Sequence, residues 1–130
     1  METTYTPPHP IIFFFDPSNE NMEVPAYDPE RVVSFNTSCV SIRTISDVDG
    51  DVTVTLDVRG PLGTRVGGVE VFRGILDTPG KTVALVTSEN QVLIEMNVNR
   101  FRVPVRVLVD DEMHPARIRI EILDATANVP

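Results

Sequence analysis

The sequence predicts an all-β chain, a single antiparallel β-sandwich or partly open barrel of about eight or nine short strands. Two observations carry this. Between Lys81 and Leu123, apolar residues take every second position in successive segments: Val83 and Leu85; Val92, Ile94, Met96 and Val98; Val103, Val105, Val107 and Val109; Ile118, Ile120 and Ile122. Side chains on a strand point alternately to opposite faces, so each such segment buries one face. Elsewhere, no stretch of ten or more residues shows a helical apolar period, and turn signals recur about every 8–12 residues, as they do between the strands of a sandwich.

In chain order, residues 1–30 read as a proline-rich N-terminal arm. Six of the eleven prolines lie there. Proline lacks a donor and fixes φ, which keeps this segment out of a central strand, apart from the apolar run Ile11–Phe15. Asp16 to Glu30, rich in Asn, Pro and acids, reads as a long loop. The sandwich core is expected over residues 31–124. Its strands are predicted at 32–35, 39–45, 52–58, 69–75, 82–87, 91–98, 102–109 and 116–123. Asp49-Gly50 reads as a two-residue hairpin joining 39–45 to 52–58, because both positions tolerate positive φ. Arg59 to Gly63 and Thr78-Pro79-Gly80 are further breaks, and 125–130 is a tail.

A chain of 130 residues buries roughly two-thirds of its unfolded surface and needs no metal or disulfide staple. Trp is absent, so β-branched residues and Leu supply most of the core. The single cysteine, Cys39, cannot pair internally and points to a reducing compartment, most simply the cytoplasm. The N-terminus lacks basic residues, and its apolar run of five is shorter than the roughly 7–15 of a signal sequence or the about 20 of a membrane helix.

The formal net charge of −8 is uneven. Residues 1–60 hold ten acids against three arginines, and the remainder nine acids against eight bases. Such a surface repels nucleic acid and anionic membrane and attracts basic proteins.

The candidate sites for chemistry each have a plainer explanation. Asp47, Asp49 and Asp51 with Gly50 resemble a cation loop, but Gly50 falls at position four rather than six, and Val58 stands where a bidentate Glu belongs. The hairpin accounts for Asp49-Gly50 without an ion. His9 and His114 are the only histidines, and His114 follows Asp110-Asp111-Glu112 in a solvated acidic loop. Cys39 lies in an apolar strand with no cationic neighbour to activate it. Ser34, Ser38, Ser41, Ser46 and Ser88 lack a nucleophile motif. No catalytic residue, metal ligand or cofactor is predicted.

The last hairpin is more informative. With its valines and isoleucines inward, Arg102, Arg106, Arg117 and Arg119 face outward, and a simple register sets Arg106 opposite Arg119. Like charges directly opposite repel. Either acids such as Glu95 and Glu121 neutralise the cluster, or it receives an anion or an acidic partner. The arginine face and the acidic half could also pair with each other, within one molecule or across a homodimer.

The segments Val32-Val33-Ser34-Phe35, Val71-Phe72-Arg73-Gly74, Pro79 to Leu85 and Val92–Val98 resemble the competence protein J family over roughly residues 32–123. Its members are small acidic cytoplasmic proteins that inhibit a DNA-entry nuclease. The acidic excess of residues 1–60 and the absence of a catalytic constellation predict a non-enzymatic binding module, an inhibitor or immunity-type partner of a basic protein. The resemblance implies that the basic protein is a nuclease and that the acidic N-terminal half is the surface that meets it. The expected partner-binding residues are Asp16, Glu20, Glu23, Asp28 and Glu30, together with Arg102, Arg106, Arg117 and Arg119. The alternative is an assembly subunit that exchanges its Ile11–Phe15 strand within a homo-oligomer. A third class, an enzyme or lectin-like domain, has little support: aromatic platforms are scarce, with two tyrosines, Tyr5 and Tyr27.

Overall fold

Among the described residues, ten strands form two five-stranded sheets packed face to face. The computed structural model describes residues 1–59 and 68–123, less the side chains of Asp47 and Arg59. The strands are β1 (Glu2–Tyr5), β2 (Ile11–Phe15), β3 (Val33–Phe35), β4 (Cys39–Arg43), β5 (Val52–Arg59), β6 (Val69–Asp77), β7 (Thr82–Thr87), β8 (Val92–Asn97), β9 (Arg102–Val109) and β10 (Arg117–Leu123). The first sheet runs β1-β5-β10-β9-β6 and the second β3-β4-β2-β7-β8. The arrangement is a sandwich, not a closed barrel. All pairings are antiparallel except β5 with β10, which is parallel, so the first sheet is mixed.

The core lies between the sheets. Val52, Val54 and Leu56, Ile118, Ile120 and Ile122, and the four valines of β9 meet Ile12, Phe14, Val40, Ile42, Val83 and Leu85 from the other side. Each set occupies alternate positions of its strand, which is the period the sequence displays.

β2 is the central strand of its sheet, paired with β4 on one edge and β7 on the other. Its inner residues Ile12 and Phe14 are fully buried. Its outer residues Ile11, Phe13 and Phe15 are half-buried. The ladder sets Phe13 beside Ser41 and Val86, and Phe15 beside Cys39 and Ala84. Large rings beside small neighbours cover that face. The five-residue apolar run is therefore satisfied within one chain.

Two expectations need correction. Asp49-Gly50 does not close a hairpin. Gly50 has the positive φ, +124°, but Asp47–Asp49 form a single 3-10 turn, and β4 and β5 belong to different sheets. The glycine turns the chain from one layer to the other rather than back along its neighbour. The second concerns residues 1–5, which form an edge strand, with Glu2 to Tyr5 opposite Thr55 to Val52. The Arg59 to Gly63 break and the 125–130 tail lie outside the described residues, apart from the backbone of Arg59 at the end of β5.

Candidate functional site

The outer face of the first sheet carries the arginines, and among the described residues most of them are already paired with acids. Arg106 pairs with Glu121 and Arg119 with Leu108, so Arg106 does not face Arg119. Asp110 sets this register: its Oδ1 accepts from the backbone N–H groups of Ala116 and Arg117 at 3.0 and 3.1 Å, closing the turn two residues from the simple count. A shift of two keeps each side chain on its face and changes only its partner.

A chain of charges of alternating sign follows across the sheet. The terminal ammonium of Met1 lies 3.3 Å from Asp57 Oδ1. Arg119 donates to Asp57 Oδ2 at 2.6 Å and to Glu121 Oε2 at 3.1 Å. Arg106 donates to Glu121 Oε1 through Nε and Nη2 and approaches Glu70 at 3.8 Å, and Glu70 binds Arg73 at 2.8 Å. Glu121 is 0% exposed and its two arginines 23% and 17%. The Arg119 guanidinium holds the Asp57 carboxyl below the usual range, with help from the Met1 ammonium. Stability from a depressed carboxyl is present above the unfolded pKa of about 4 and is lost as pH falls through the folded value. Arg102 pairs with Asp77 at 3.0 Å. Arg117, exposed, is the candidate arginine with no ion pair among the described residues.

The acidic candidates divide differently. Asp16 is 0% exposed. Its carboxylate accepts from Ser18 N at 2.8 Å, Gly80 N at 2.6 Å and Thr82 Oγ1 at 2.7 Å. It is a structural clasp between the end of β2 and the β6–β7 turn, and it leaves the candidate surface. Gly80 is needed there, because a Cβ would stand 2.3 Å from that of Ser18. Glu20, Glu23 and Glu30 are exposed, and Asp28 is half-buried beside Arg31 at 3.5 Å.

The loop bearing these acids is fixed along the edge of β3. Glu23 N donates to Ser38 Oγ at 3.0 Å, Asn36 Nδ2 to Glu23 O at 2.9 Å and Asp28 N to Ser34 Oγ at 3.2 Å. Arg43 Nη1 donates to Pro29 O at 2.8 Å and its Nε to Met113 O at 3.2 Å, which ties this loop to the β9–β10 loop. Sequence reasoning missed Arg43, since its role depends on two backbone carbonyls distant in sequence. A polar hollow of about 460 Å³ beside Glu23 is lined by Asn19, Asn36, Asp77 and Phe101.

Among the described residues, no three His, Cys, Asp or Glu side chains converge to hold a metal. Asp49 accepts from Ser46 Oγ at 2.9 Å and Asp51 from Thr6 Oγ1 at 2.7 Å, while the Asp47 side chain lies outside the described residues. His9 and His114 are exposed. Cys39 is fully buried, and burial pushes its thiol up to about 12. The native protein is expected to resist iodoacetamide at pH 8 and to react once unfolded. Rapid labelling of the folded chain, read by mass spectrometry, would contradict this burial.

No protein-family model and no curated protein sequence matches the chain. Two solved structures have its fold. One is ComJ from Bacillus subtilis, the inhibitor of the DNA degrading activity of NucA, with a TM-score of 0.67, 7% identity and 96% of each chain covered. The other is the crocagin biosynthetic gene J protein, with a TM-score of 0.53, 14% identity, and 92% of this chain and 94% of that one covered. The resemblance to the competence protein J family is met at the level of the fold.

Proposed function

We propose that this chain is a non-enzymatic binding module that acts as an inhibitor-type partner of a basic protein, most simply a DNA-degrading nuclease. One observation carries this. The arginines of the sheet face are largely consumed by internal pairs, whereas Glu20, Glu23 and Glu30 stand exposed on a fixed loop with no ion pair among the described residues. The chain thus presents unspent negative charge on an ordered surface, which accelerates encounter with a basic partner and discriminates against acidic ones. The fold it shares with ComJ, an inhibitor of a nuclease's DNA degrading activity, supports the same assignment. Nucleic acid and anionic membrane are disfavoured as partners by the net charge of −8. The lone thiol of Cys39 fits a cytoplasmic setting. Strand exchange gains no support, because β2 is paired on both edges within its own chain.

The test is capture from an extract of the native host on the immobilised full chain at low salt. The expected result is a basic protein released by raising the salt, whose DNA-degrading activity the chain suppresses. Recovery of no basic protein, or of one whose binding ignores salt, would remove the proposal.

A further inference from the structure

The two sheets end side by side at β3 and β6, the edge strands on one flank of the sandwich. Asp77 N donates to Thr37 O across this flank at 2.7 Å, and the rings of Phe35 and Phe72 meet with centroids 4.7 Å apart. Despite that contact Phe35 is 54% exposed, and Met113 beside it is 50% exposed. Between the edges lies a hollow of about 260 Å³ with Phe35, Val71, Phe72 and Met113 on its apolar side and Glu30 and Glu112 on its rim. Neither rim carboxylate has an ion pair or side-chain hydrogen bond among the described residues. Among the described residues, the one base in the lining is Arg31, and it already stands beside Asp28.

We propose that this hollow is the docking point for the basic partner, and that it takes an apolar side chain flanked by arginine or lysine. The inference rests on the protein-binding function proposed above and places its contact. An exposed aromatic over a packed one is the kind of anchor that concentrates binding energy when water is excluded around it. The carboxylates on the rim fix the sign of what surrounds the anchor. A second copy of this chain, at net −8, is electrostatically the wrong occupant. The pairing of β6 with β9 shifts register between Glu70 and Phe72, at Val71, which lines the hollow. Such a bulge blunts an edge against strand addition, so the partner enters by side chains rather than as an added strand. Arg43 holds the two rims at fixed spacing through Pro29 and Met113, so the hollow is preformed, which lowers the ordering cost of binding.

The experiment is an NMR titration of the isotope-labelled full chain at low salt with the peptide acetyl-Arg-Arg-Leu-Arg-Arg-amide. The same peptide with Glu for Arg is the control. Saturable shifts are expected at residues 30–35, 71–72 and 112–113 with the basic peptide alone. Phe35→Ala is expected to raise Kd about tenfold, the scale of a central anchor. The Glu30→Gln/Glu112→Gln double variant is expected to weaken binding and flatten its salt dependence, and it carries the test should Phe35→Ala fail to fold. Saturable binding elsewhere on the acidic surface, or an unchanged Kd in the double variant, overturns the placement and leaves the basic-partner function standing. No saturable binding at low salt overturns both.

Discussion

Replacing Glu121 with alanine is expected to lower the unfolding free energy by about 3–5 kcal/mol, the range for removing one partner of a buried charge pair. Glu121 is fully buried on the sheet's outer face between Arg106 and Arg119. Without it, two guanidiniums on adjacent strands, each mostly covered, lose the carboxylate they share. Asp57 and Glu70 remain on the outer sides of the pair and cannot occupy the gap. Glu121→Gln keeps the volume but not the charge, so it should retain most of the loss. Urea unfolding reads both variants: the midpoint falls while the slope stays constant. A loss within 1 kcal/mol, on the scale of exposed pairs, would mean that solvent screens the network.

The second large effect is at Asp16. Asp16→Ala removes a buried acceptor that serves three donors and deprives the part-buried Gly80 N–H of its carboxylate partner. The expected cost is about 3 kcal/mol, because hydrogen bonds to a charged group exceed neutral ones and unmet donors carry their own penalty. Asp16→Asn should recover only part. Its one oxygen cannot occupy both positions, and its amide nitrogen would meet either Gly80 N or the Ser18 and Thr82 donors. Local exchange at Gly80 and Lys81 should rise in both variants, as measured by amide hydrogen exchange. Unchanged protection at that turn would contradict the clasp.

These two carboxylates also mark what a sequence can and cannot disclose. The strands Thr82–Thr87 and Arg102–Val109 were legible because alternation is written locally into the residues. Glu2–Tyr5 was not, since its one apolar residue is Tyr5 and its pairing comes from β5, about fifty residues away. Asp49-Gly50 carries an ordinary hairpin signal, but the destination of the next strand is decided by which sheet its apolar face joins. Asp16 resembled the other acids of its loop. Its burial depends on Gly80 and Thr82, which only the fold brings near. The arginine cluster was legible as a conflict, and Glu121 was among the residues able to resolve it. The register that seats Glu121 opposite Arg106 follows from Asp110 capping the turn.

The surface left after these internal pairs is the acidic loop and the flank beside it. The most direct test of its role is the rate of DNA degradation by the basic nuclease captured from the host, with and without excess full chain, at two salt concentrations. The account predicts inhibition at low salt that weakens as screening shortens the Debye length to about 10 Å at 0.1 M. Inhibition should also fall in the Glu20→Gln/Glu23→Gln/Glu30→Gln variant. Undiminished nuclease activity in the presence of excess chain at low salt would contradict it.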